Sequence, residues 1–167
     1  MLPQLDTPKY KLDLPSNGET IEYRPFLVKE EKILLLAMES MKEDNSDAIA
    51  SATFDIIKSC TFNNVKPESL PNFDLDYLFL NIRSRSRGEL IESAFVCQNE
   101  VDGEVCGTSN DVSVNINDIE VTFPEEDNSK VMITDEVGIQ FKYLSSGELK
   151  KYGKEKSETD KMFKIIV

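Results

Sequence analysis

Apolar and polar positions alternate in KYKLDL and again in ETIEYRPF, with PSNG between them. A period of two on either side of turn residues predicts a β-hairpin over residues 9–26. Asn17-Gly18 supplies residues that accept positive φ. Pro25 has no amide hydrogen to donate, so the ladder ends there.

The period then lengthens. YRPFLVKEEKILLLAMES (residues 23–40) passes from a proline-broken extended piece through four charges into an apolar block. Pro25 disfavours helical geometry at Arg24, so a first helix is predicted from about Leu27 to Ser40. Glu30 and Glu31 fall in its first turns, where the helix dipole favours anions. Ile33, Leu34, Leu36, Ala37 and Met38 cover more than one face, which predicts burial on several sides, by the chain itself or by a partner. Asp44 to Ser46 offers caps for a second helix, Asp47 to about Cys60, with Ala48, Ala52, Ile56 and Ile57 near one stripe. VKPESLPN reads as a loop. FDLDYLFLNIRSRSRG reads as a third helix: Leu75, Leu78, Phe79 and Ile82 keep the i, i+3, i+4, i+7 spacing. Acids open it, arginines close it, and Gly88 follows.

After Gly88 the period returns to two. ELIESAFVC, DVSVNINDIEVTF, KVMITD and GIQFKY read as strands. Helices segregated between β-structure predict an α+β fold. It has an N-terminal hairpin (9–26), a three-helix middle (27–88), C-terminal antiparallel strands (89–144) and a polar tail (145–167), all in one domain over 1–167. The tail ends on MFKIIV, which reads as a last element docking back or as the end of a chain shorter than its relatives.

Charge narrows the partners. Thirty-one Asp and Glu against 19 Lys and Arg leave a net charge of −12 in 167 residues. Such a chain repels phosphate backbones and anionic membranes, so neither nucleic acid nor membrane is expected. It favours a protein partner instead. The longest apolar run, Ile33 to Met38, falls far short of the roughly 20 residues that span a bilayer. No basic and apolar leader opens the chain. Histidine is absent, which removes Ser-His and Cys-His chemistry and the commonest metal ligand. No phosphate loop, dinucleotide fingerprint or nucleophile elbow is present, and no enzyme or cofactor is expected.

Two constellations could carry chemistry. Cys97 and Cys106 bracket eight residues, whereas a zinc knuckle takes about two to four. A two-residue turn at Asp102-Gly103 would pair Asn99 with Cys106 and set Cys97 opposite Thr108. The two thiols are then diagonal neighbours, roughly 7–8 Å apart at Cα, beyond the span of about 7 Å that a disulfide accepts. With Cys60 as the one further thiol, a zinc-stapled binding module is the alternative reading. An odd count of three cysteines without an export signal otherwise reads as reduced thiols. A carboxylate hydrolase would need Asp74 and Asp76 to meet Glu89, at opposite ends of the third helix. Arg83, Arg85 and Arg87 do not share one helix face and read as C-terminal helix charges that pair with neighbouring carboxylates. PEEDNSK reads as a solvated loop.

IEYRPFLVKEEKILLLAMES, with LPNFDLDYLFLNIRSRSRGE and the later FVCQNEVDGEVCG, resembles the baseplate hub assembly proteins of T4-type tailed phages, over residues 8 to about 144. The resemblance implies a non-enzymatic hub component or an assembly chaperone of the contractile tail. It would dock to other baseplate hub proteins in the host cytoplasm during assembly, with a place in the finished virion and self-association both left open. It carries over no active site. Aromatic and arginine residues dominate interfaces. The candidates for partner contact are therefore Tyr23, Arg24, Phe26, Lys29 and Lys32 around the first helix, and Arg83, Arg85 and Arg87 after the third.

Overall fold

A computed structural model describes residues 7–41, 46–101, 103–123, 129–153 and 159. The hairpin pairs β1 (Tyr10–Asp13) with β2 (Thr20–Tyr23), from Tyr10 opposite Tyr23 to Asp13 opposite Thr20. Its loop is longer than PSNG alone: Leu14 N donates to Glu19 O, and Gly18, at φ +70°, donates to Leu14 O. Beyond the loop's own bonds, Ser16 gives its N–H and its hydroxyl to the buried carboxylate of Asp74.

The expected helices are α1 (Val28–Met41), α2 (Ser46–Cys60) and α3 (Asn72–Arg87). α2 sits centrally, with Ala52, Ile56, Ile57 and Cys60 buried. Ala52, Ile56 and Cys60 recur every four residues, and Ile57 lies beside them at three before Cys60, as one helix stripe requires. They close on Leu75, Leu78 and Ile82 of α3 and on Leu14, Ile21 and Tyr23 of the hairpin, forming one core. Each fully buried Ile or Leu contributes about 1.5–3 kcal/mol. A 3-10 turn, Pro67–Ser69, links α2 to α3.

The strand region is one long ribbon and one short hairpin. β3 (Leu90–Val96) pairs with β6 (Ser109–Asn115), and β4 (Glu100–Val101) with β5 (Glu104–Val105). The register is continuous: Cys106 N donates to Asn99 O and Cys97 N to Thr108 O, as the Asp102-Gly103 turn predicts. DVSVNINDIEVTF is not strand throughout. Asn115 accepts from Asn117 N through its side chain and starts a 3-10 turn, Ile116–Asp118, which buries Ile116. Among the described residues KVMITD gives only β7 (Lys130–Met132), paired with β8 (Gly138–Gln140).

A fourth helix, α4 (Ser146–Gly153), lies where a polar tail was expected. Ser145 and Glu148 cap it reciprocally: Ser145 N donates to Glu148 Oε2 at 2.9 Å, and Glu148 N to Ser145 Oγ at 3.3 Å. Ser146 fastens it to the start of α3 through Leu70 O and Asn72 Oδ1. MFKIIV lies outside the described residues.

Candidate functional site

The start of α1 is locked from inside. Arg24 Nη2 donates to Glu30 Oε1 at 2.9 Å, and Ser59 Oγ reaches the same oxygen at 2.7 Å. Glu30 Oε2 accepts from Leu27 N at 2.8 Å. The other guanidinium nitrogen donates to Pro25 O, and Arg24 N donates to Cys60 O. Burial pushes the Glu30 carboxyl up. Hydrogen bonds from Arg24, Ser59 and Leu27, together with the arginine charge, outweigh that and hold it at about 2. A buried ion pair persists when its remaining donors and acceptors are met, as here.

This lock decides which face of α1 turns inward. Glu30, Leu34 and Ala37 form the inward stripe, and α1 packs along α2. The outward side keeps its apolar residues: Val28 is 83% exposed, and Leu35 and Met38 are each 54% exposed. They recur at intervals of seven and three, which places them on one helix face, with Lys32 beside them. The block that the sequence shows as apolar nearly all round is thus covered on one side only.

The expected contact residues divide. Tyr23 and Arg24 are interior, 2% and 7% exposed. The Tyr23 hydroxyl is pushed up by burial, partly countered by a hydrogen bond from Arg85. Phe26 is half-buried: its N–H donates to Ser86 Oγ and its ring lies 5.9 Å from Phe79. Lys29 and Lys32 are exposed on α1, and Lys29 lies 3.3 Å from Glu30. Arg83 is half-buried. Arg85 is 5.0 Å from the Tyr10 ring and 3.6 Å from Glu89, and Arg87 pairs with Glu31 of α1. Arg85 and Arg87 therefore bind α3 to its neighbours, as helix-end charges would. Of the named set, Lys29 and Lys32 stay on the outer side of α1.

The structure sets Cys97 and Cys106 within hydrogen-bond reach of one another and leaves the rest of the alternative sites apart. Cys60 is enclosed in the core beside Arg24, and burial pushes its thiol up to about 11. Cys97 and Cys106 stand on the ribbon with exposed surroundings. No group of three Cys, Asp or Glu suited to a metal occurs among the described residues. Asp74 is spent on Ser16, and Glu89 lies about 20 Å along the helix axis from it.

Periodicity did not flag the ribbon and the short hairpin as surfaces. Phe95, Met132 and Ile133 are each more than 60% exposed, and Val112, Val114 and Phe141 also face solvent. Alternation shows that these strands have an apolar face but carries no sign of whether another element covers it. No helix among the described residues is long and apolar enough to cross a membrane.

A family model described as T4 bacteriophage base plate protein matches residues 7–167, past the point where the quoted motifs end. Comparison with curated proteins and with solved structures gives no match.

Proposed function

The chain belongs to the T4 bacteriophage base plate protein family, and on that premise we propose that it serves the central hub of the baseplate, as a subunit or as an assembly chaperone, by docking to other hub proteins without chemical turnover. The observation that carries this is the outer face of α1. Val28, Leu35 and Met38 stay in water although the helix is fixed in place by a buried ion pair. A rigid, preformed apolar row of this kind binds with little ordering cost. Lys29 and Lys32 beside it would set orientation against partner carboxylates.

The fate of the chain during infection separates the two versions. Docking takes place in the host cytoplasm in both. Baseplates and their precursors are purified and probed for this chain by quantitative mass spectrometry. A fixed copy number in finished baseplates makes it a subunit. Presence in hub precursors and loss from finished baseplates makes it a chaperone. Absence from both overturns the reading.

A further inference from the structure

We infer that one face of the β3–β6 ribbon is a second docking surface, whose occupant is another baseplate protein presenting an apolar patch edged by lysine and arginine. The inference rests on the docking reading for the class of partner and adds to it a site and a recognition chemistry.

The register fixes the face. Ile91 opposes Val114, Ser93 opposes Val112, and Phe95 opposes Asn110. Directly opposed residues share a face, and side chains alternate along each strand. Ile91, Val112, Val114 and Phe95 therefore lie together. Phe95 is 61% exposed, Val114 43% and Val112 41%. The opposite face exposes Leu90 and Val96 only at its two ends, with Glu92 and Asp111 between them, and a two-stranded ribbon lacks a covering layer of its own.

Charge selects the occupant. Between Gly88 and Ser129 the chain carries eleven Asp or Glu and no Lys or Arg. Glu92 and Asp111 stand exposed on the opposite face of the same strands, and Glu100 and Glu104 are exposed toward its tip. The ribbon is only two strands wide, so these carboxylates act within a screening length of about 8–10 Å on whatever covers the apolar face. A second copy laid face to face would bring the same carboxylates and no cation from this segment to offset them. A basic-edged partner gains both the apolar contact and the field, which speeds encounter and fixes register.

The test uses the intact chain and the individually purified baseplate proteins of its phage. Titration calorimetry measures binding of the wild type, of Phe95→Ser/Val112→Ser, of Glu92→Lys/Asp111→Lys, and of Leu35→Ser/Met38→Ser on α1. Circular dichroism melting confirms that each variant is folded. We expect one partner whose affinity falls roughly tenfold or more with Phe95→Ser/Val112→Ser, falls with Glu92→Lys/Asp111→Lys, and weakens as salt rises from about 50 to about 500 mM. Binding that only the α1 variant weakens would overturn the ribbon site and leave the docking role standing. Wild-type binding to none of these proteins would overturn both. A wild-type homodimer that Phe95→Ser/Val112→Ser dissolves would make the occupant a second copy and overturn the basic partner.

Discussion

Arg24 Nη2 lies 2.9 Å from Glu30 Oε1, with the two side chains only 8% and 1% exposed. The pair joins the end of the hairpin to the first turn of α1, and Ser59 draws α2 into the same knot. The inward stripe of α1 is thereby fixed, and so is the face left outside.

Acid should undo this knot over a defined window. The Glu30 carboxyl sits at about 2 in the fold against an ordinary 4.5. A depressed carboxylate stabilises the fold fully above pH 4.5, and that contribution is lost as pH falls from there toward 2. Thermal melting across this range should show a falling Tm in the wild type. Glu30→Gln should cost about 3 kcal/mol at neutral pH, because Arg24 is left buried and unpaired, and should flatten the acid slope. A wild-type Tm unchanged between pH 5 and 3 would contradict the lock.

The three thiols should react in two classes. Hydrogen bonding with Thr108, and with Cys97, holds the Cys106 thiol below its ordinary value, while burial pushes Cys60 up to about 11. Thiolate is the reactive form. Mass spectrometry after brief alkylation at neutral pH should find Cys106 modified first and Cys60 modified only on unfolding. Early labelling of Cys60 would mean that the core opens at α2.

Gly147 should resist substitution. A Cβ there would meet Glu68 O at 2.9 Å, where α4 crosses the Pro67–Ser69 turn. Gly147→Ala should lower stability by about 1–3 kcal/mol through overpacking, and it should raise amide exchange in α4 specifically. Stabilisation instead would mean that the helix is free to shift.

Much of the fold was legible because its signals are local. Asn17-Gly18 and the alternation around it mark the hairpin, Asp102-Gly103 sets the ribbon register, and Leu75, Leu78 and Ile82 mark α3. α4 carries its signal too, in the Ser145–Glu148 capping box, but lysines in its last turn make the segment read as a solvated tail. Arg24 was not legible as a core residue. Arginine at the end of a strand usually reaches water, and only the fold brings Glu30 and Ser59 to it. The exposure of Phe95 was equally hidden: alternation shows that a strand has an apolar face, not whether anything covers it.

The central claim is that the outer face of α1 docks to a hub protein. The wild type and Leu35→Ser/Met38→Ser should melt within about 0.5 kcal/mol of each other, since the replaced side chains already face water. The decisive measurement is the mass, by light scattering after size exclusion, of each chain mixed with each purified hub protein. A complex formed by the wild type and lost in the variant is the predicted result. A complex of unchanged mass and yield in the variant would contradict the claim.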